Sequence, residues 1–164
     1  MLQLRALGAT MNYWLMKSEP DVFSIDDLKA KPKRTAHWDG VRNFQARNFM
    51  RAMRRGDLAF FYHSSCAEPG IAGVIAIARA AYPDFTSWDA NNPYHDPRSR
   101  PDRPLWDMVD VRFKRKAKRP IALAELRQNP KLTKMQLFAR GSRLSIMPVT
   151  PAQWQAILKM ESTN

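Results

Sequence analysis

Apolar and polar positions along the chain fall into short blocks with two different periods. Tyr13–Lys17 (YWLMK) is a continuous aromatic and apolar run of strand length, and Pro20 ends it by disfavouring helix at Glu19. From Ser24 the pattern becomes that of a short helix reaching about Ala30, with Asp27 three residues on as an imperfect capping box. Asn43 opens the next helix. Phe44, Ala46, Phe49, Met50 and Met53 recur at helical spacing, while Arg42, Arg47, Arg51, Arg54 and Arg55 occupy the rest of the surface. Gly56 is the natural stop, which predicts a helix through Arg55. Asp57–His63 (DLAFFYH) and Ile71–Ala81 (IAGVIAIARAA) predict two strands, and Pro69-Gly70 between them suits an antiparallel hairpin.

Further on, Leu105–Arg115 (LWDMVDVRFKR) alternates, with Leu105, Val109, Val111 and Phe113 on one face and Met108 and Asp110 on the other, as a strand does. Ile121–Arg127 predicts a short helix after Pro120, and Thr133–Ala139 a helical turn stopped at Gly141. Ser145–Val149 reads as an edge strand, where Pro148 is tolerated. Thr150 caps a last helix with Pro151 at its first position and Trp154, Ile157 and Leu158 inward. Three stretches show neither period. Lys31–Thr35 (KPKRT) is a basic loop, and His37–Val41 (HWDGV) a turn or short extended segment. Asp84–Pro104, with Pro93, Pro97, Pro101 and Pro104, predicts a long exposed loop, and loops of that length often carry function. About five strands and four or five short helices in mixed order make the class α+β, either a small mixed domain or a compact β-barrel with peripheral helices. Repeated βαβ units are missing, so a doubly wound sheet is not expected.

A length of 164 residues fits one domain, set here at residues 12–160. Residues 1–11 precede it as a leader or disordered N-terminus, of which residues 1–10, before Met11, are a loose leader or an upstream start-codon assignment, and residues 161–164 follow as a tail. One cysteine, Cys66, excludes an internal disulfide framework and a multi-cysteine zinc site, and it suits a reducing cytoplasm. His37, His63 and His95 stand apart without metal-ligand spacing, so neither metal nor cofactor is called for. The apolar runs are too short to span a membrane, and the start MLQLRALGAT lacks the core of a secretory signal. A cytoplasmic monomer is expected, nuclear if the cell is eukaryotic.

Charge changes the picture most. Lys and Arg number 27 against 15 Asp and Glu, a formal +12. On one small domain this excess projects a positive field, whose natural partners are polyanions.

Four segments and the C-terminal edge strand carry a resemblance. They are Tyr13-Trp14-Leu15-Met16-Lys17-Ser18-Glu19-Pro20, Trp38-Asp39-Gly40-Val41-Arg42-Asn43-Phe44-Gln45-Ala46-Arg47-Asn48, Gly56-Asp57 leading into Phe60-Phe61-Tyr62-His63-Ser64, Tyr82-Pro83-Asp84, and Arg143-Leu144-Ser145-Ile146-Met147-Pro148-Val149. In order and spacing the chain resembles the EVE domain family, the thymocyte nuclear protein family, over most of its length. The resemblance implies a PUA-like fold, similar to YTH domains, and recognition of a modified base in DNA or RNA.

Within that frame, Trp38 stands in a polar turn, where an indole either stacks on a base or packs as a lid on the core. Ser18 either reads a base edge or turns the chain towards Pro20. Asn43 offers a donor and an acceptor to a base, and equally a helix cap. Asp39 accepts from an exocyclic amine or from turn amides. Tyr62, His63 and Ser64 leave a strand together and are candidates for the pocket wall, although a lone histidine there is more often structural. Trp14 suits the core, Trp88 a loop closing over a ligand, and Trp106 either role. Lys17, Arg42, Arg47, Arg51 and Arg100 are candidates for phosphate contact, against the ordinary alternative of a solvated charged face. Two rivals remain: an ASCH-like enzyme acting on RNA or a small amide or nucleoside through Lys17, His63 and Asp39, and an adaptor for an acidic protein.

Overall fold

The computed structural model describes residues 11–163, so residues 1–10 of the expected leader, and Asn164, lie outside the described residues. Six strands form one mixed sheet in the order β2-β5-β4-β3-β1-β6. The strands are β1 (Tyr13–Ser18), β2 (Thr35–His37), β3 (Leu58–His63), β4 (Gly70–Pro83), β5 (Asp107–Ala122) and β6 (Ile146–Val149). Four α-helices flank them: α1 (Ile25–Lys29), α2 (Phe44–Ala52), α3 (Leu123–Gln128) and α4 (Pro151–Glu161). The α+β, PUA-like architecture implied by the resemblance is the one present.

β1 and β3 are parallel, with Tyr13 opposite Leu58 and Ser18 opposite His63; every other pairing is antiparallel. Parallel neighbours need a crossover, and α1, β2 and α2 supply it. The consequence is positional. Both strands end on the same edge of the molecule, where the Ser64 N–H donates to the Ser18 carbonyl at 2.9 Å. β6 runs antiparallel to β1 and therefore starts there, with the Lys17 N–H donating to the Ser145 carbonyl at 2.8 Å.

Local chemistry accounts for several boundaries. Ser24 and Asp27 form a full capping box on α1, and Thr150 and Gln153 a second on α4 behind Pro151. The apolar faces meet in one core that includes the fully buried Leu15, Met16, Phe61 and Met50. β6 is an edge strand, and Pro148 sits in it opposite Trp14.

Five expectations are corrected. The helix from Asn43 ends at Ala52, because Met53 is already extended and the buried Asp57 carboxylate accepts the Arg54 N–H at 2.9 Å. The strand predicted to stop at Arg115 continues to Ala122, since Ile121 and Ala122 pair with Ile71 and Gly70. A side chain at Gly70 would stand 2.3 Å from the Ile121 carbonyl, so only glycine lets the ladder close. Residues 35–37, read as loop and turn, form strand β2 along β5. The stretch from Asp84 is not an open loop: it begins with a 3-10 turn over Phe85–Trp88 and buries Asp84, Thr86, Ser87 and Ser99. At the C-terminus, α4 includes Glu161, whose carboxylate takes two bonds from Arg115 at 2.7 and 2.8 Å.

Candidate functional site

Where β1 and β3 end and β6 begins, the surface opens into a cavity of about 680 Å³, within the usual range for small-ligand sites. Its lining takes in the strand-end cluster Lys17, Ser18, Ser64 and Ser65, the segment Trp38–Asn43, and Arg143–Ser145. Phe23, Val22 and Tyr94 add apolar surface.

Trp38 is 7% exposed, yet it is among the residues that line the cavity. Its orientation is fixed from behind by edge contacts with Phe61 (centroids 5.4 Å apart) and Phe23 (6.4 Å). Trp38 is thus packed on the core, as one of its two readings had it, and it also lines a concavity.

Trp38–Asn43 is held by a partner distant in sequence. Asp84, wholly buried, accepts from the Gly40 N–H and from Arg42 Nη1, each at 3.0 Å. Its second oxygen accepts from the Thr86 N–H at 2.9 Å and from the Thr86 hydroxyl. Arg42 continues the tie, with Nε donating to the Tyr94 carbonyl at 2.9 Å. Gly40 adopts a φ of +80°, and the Tyr94 ring lies against it so closely that a Cβ would come within 2.8 Å of three ring carbons.

The polar groups differ in how far the protein has already used them. The Ser18 hydroxyl donates to the Phe23 carbonyl at 2.6 Å and so turns the chain while facing the cavity. Asn43 Oδ1 caps α2 by accepting the Ala46 N–H at 2.9 Å, leaving its amide nitrogen available. Burial moves the Asp39 carboxyl upward from its ordinary pKa, an effect that Asp84 reinforces and His37 opposes. Burial moves the Lys17 ammonium downward, and its Nζ lies 5.9 Å from the Tyr62 ring centre.

Of the residues singled out in the sequence, Ser18, Trp38, Asp39, Asn43, Ser64, Lys17 and Arg42 are brought together at the cavity. Tyr62 and His63 are not among its lining residues. Tyr62 is 2% exposed, its hydroxyl pushed up to about 12 by burial. His63 turns to α1, where Nε2 accepts the Ile25 N–H at 3.1 Å. Arg47, Arg51 and Arg100 also lie elsewhere: Arg47 donates to the Leu105 carbonyl at 2.8 Å, Arg51 pairs with Asp107, and Arg100 lies 3.5 Å from Asp102. With His63 facing α1, the set of Lys17, His63 and Asp39 is not assembled in one place. Trp14 and Trp106 are buried, each indole N–H on a carboxylate, Asp57 at 3.0 Å and Asp96 at 2.8 Å. Trp88 does not line the cavity. Phe23, Lys31, Tyr94, Arg143 and Leu144 do, without having been candidates. Arg143 and Leu144 stood in a quoted motif and Lys31 in the basic loop Lys31–Thr35, whereas nothing local distinguishes Phe23 or Tyr94. Among the described residues, no group of three or more His, Cys, Asp or Glu is placed to hold a metal, and no helix is long and apolar enough to cross a membrane.

Comparison with known proteins gives the following. The EVE domain family model matches residues 12–160. The human protein thymocyte nuclear protein 1 is 52% identical over 167 residues, covering 92% of this chain and 74% of that protein. A crystal structure of human THYN1 protein in complex with DNA containing 5-methylcytosine is 51% identical, with a TM-score of 0.89 over 93% of this chain and 99% of the other. The YTH domain of Zygosaccharomyces rouxii MRB1 protein, in complex with N6-methyladenosine RNA, superimposes with a TM-score of 0.55 at 13% identity over 93% of this chain and 88% of that one, a likeness of fold alone.

Proposed function

The chain belongs to the EVE domain family, and from that premise we propose that it binds nucleic acid by seating one base, a modified one, in the cavity walled by Trp38. The observation that carries this is the state of Trp38, whose indole is locked by Phe61 and Phe23 and which is one of the residues lining the cavity. A preset aromatic wall loses no side-chain freedom on stacking. Around it, Asp39 offers an acceptor for an exocyclic amine, and the Asn43 amide and Ser64 hydroxyl offer donors to a base edge. Binding without turnover fits these groups, because no nucleophile with its own base is assembled there. Extruding a base costs a few kcal/mol, so an unpaired or weakened site is preferred. DNA containing 5-methylcytosine, the partner of the human relative, is the first ligand to try. We take the working form to be a monomer, cytoplasmic or, in a eukaryotic cell, nuclear like its relatives by name.

The test is fluorescence anisotropy at low salt with single-stranded oligonucleotides carrying cytosine, 5-methylcytosine, 5-hydroxymethylcytosine or N6-methyladenine. One modified base should bind most tightly. Loss of stacking in Trp38→Ala should cost about 1–3 kcal/mol, roughly 5- to 150-fold in Kd, and Trp38→Phe should restore part of it. Equal binding of all bases, unaffected by Trp38→Ala, would remove the reading.

A further inference from the structure

The formal charge of +12 overstates the number of cations free to meet a phosphate. Arg42 pairs with Asp84, Arg51 with Asp107, Arg98 with Asp96, Arg115 with Glu161 and Arg119 with Glu125. Arg47 of α2 keeps its charge, since its acceptors, the Leu105 carbonyl and the Asn48 side chain, are neutral, but they hold it away from the residues that line the cavity. A guanidinium already neutralised by a carboxylate releases few counterions on meeting a polyanion, and counterion release is what drives phosphate binding.

The cavity mouth is different. Lys17, Lys31 and Arg143 reach it from three separate segments, namely the end of β1, the turn after α1 and the approach to β6. Among the described residues, none of the three has a carboxylate within ion-pair distance. Two acids share the lining, Glu19 and Asp39, and Asp39 has His37 beside it at 3.8 Å. Behind Lys31 the chain is strained. Lys33 and Arg34 adopt φ of 54° and 52°, a conformation that costs a residue with a Cβ roughly 1–2 kcal/mol. Bonds from the Arg34 N–H to the Lys31 carbonyl (2.7 Å) and from the Thr35 hydroxyl to the Lys33 carbonyl (2.9 Å) hold it. This turn brings a run of four basic or basic-flanking residues, Lys31 to Arg34, back beside the strand that leads into Trp38. Strain of this kind persists where the surroundings over-determine it, and it gathers at binding sites.

Resting on the reading of the cavity as a base site, we propose that Lys17, Lys31 and Arg143 are the phosphate clamp, holding the phosphodiesters on either side of the seated base, and that the arginines of α2 are not. The covalent geometry of a nucleotide requires this division of labour. A base inserted into the cavity leaves its two flanking phosphates at the mouth, where Lys17, Lys31 and Arg143 stand without a carboxylate partner. Lys17 is half-buried, so its charge is incompletely hydrated and gains from an arriving anion. Contacts of this sort add affinity and orientation without reading sequence.

The experiment is a salt titration of binding to a single-stranded oligonucleotide bearing one 5-methylcytosine. It compares the unaltered protein with Lys31→Gln/Arg143→Gln, with Arg47→Gln/Arg51→Gln, and with Lys131→Gln/Lys134→Gln as a charge-matched control. Thermal unfolding verifies that each variant is folded. Losing two phosphate contacts on a single strand should flatten the slope of log K against log salt by about 1.4 in the rim variant, and leave it unchanged in the other two. Binding of the free nucleoside 5-methyldeoxycytidine, followed by NMR, should be kept by the rim variant and lost in Trp38→Ala. A slope unaltered by the rim substitutions, or flattened instead by the α2 substitutions, overturns the clamp while leaving the base pocket standing. Loss of nucleoside binding in the rim variant also overturns it, by moving Lys31 and Arg143 into the base site. If the unaltered protein binds neither oligonucleotide nor nucleoside for any of the four bases of the anisotropy screen, the base-pocket reading itself fails, and the clamp with it.

Discussion

The Asp84 carboxylate and the Gly40 backbone N–H are joined at 3.0 Å across 44 positions of sequence. This bond fastens the segment carrying Trp38 and Asp39 to the start of the long proline-rich excursion. Because Asp84 also holds Arg42 and Thr86 while fully buried, it has no solvent to fall back on.

Asp84→Asn is therefore expected to destabilise the fold and loosen the site together. Removing one partner of a buried charge pair costs about 3 kcal/mol, which lowers Tm by roughly 6–12 °C in a domain of this size. Hydrogen exchange supplies the specific readout: the Gly40 amide should lose protection more than amides in the core of β3.

Gly40→Ala meets two obstacles, a φ of +80° and a Tyr94 ring whose carbons would stand 2.8 Å from the new Cβ. The backbone part alone should cost about 1–2 kcal/mol. A double-mutant cycle with Tyr94→Ala separates the two. The double variant should recover the steric share and keep the conformational one, so the pair should be coupled by about 0.5–3 kcal/mol.

Asp39 sets stability against recognition. Burial raises the pKa of its carboxyl in the folded protein, so ionising it there opposes folding. Asp39→Asn should raise Tm at neutral pH. As pH falls, the folded carboxyl takes up its proton before the unfolded one does. The advantage of asparagine should thus shrink on acidification and be gone near pH 3.9, the ordinary value of an unfolded aspartate. Affinity for a base with an exocyclic amine should fall in the same variant, because one acceptor has become a donor.

His63 carries the opposite sign. Burial, with Lys116 in support and Asp26 and Asp27 opposed, lowers its pKa in the folded protein, where neutral Nε2 accepts the Ile25 N–H. An unfolded chain takes up this proton first, at about pH 6.5. Stability should consequently decline as pH falls below about 6.5 until His63 is protonated in the folded state as well. Denaturant unfolding at about pH 7.5 and about pH 5, repeated on His63→Asn, should show the decline reduced in the variant.

What the sequence settled by itself was whatever neighbours in the chain decide. Ser24 and Asp27 cap α1 from three residues apart, Pro151 opens α4, and the apolar runs of β3 and β4 with Pro69-Gly70 between them give a hairpin, each from contacts that a local pattern encodes. Trp38, Asp39 and Asn43 were legible for the same reason, because they occupy one short polar turn. Tertiary structure alone decided the rest. Strand β2 has three residues and no period, and it exists because β5 offers a free edge. Only the parallel pairing of β1 with β3 puts Ser18 beside Ser64. Three of the four candidate arginines could not be sorted by spacing, since their fates depend on carboxylates and carbonyls some 40 to 60 positions away: Asp84 for Arg42, Leu105 for Arg47 and Asp107 for Arg51. A charge in sequence is a property of one residue, whereas its availability to a ligand is a property of the pair it forms, and pairs between distant residues exist only once the chain has folded.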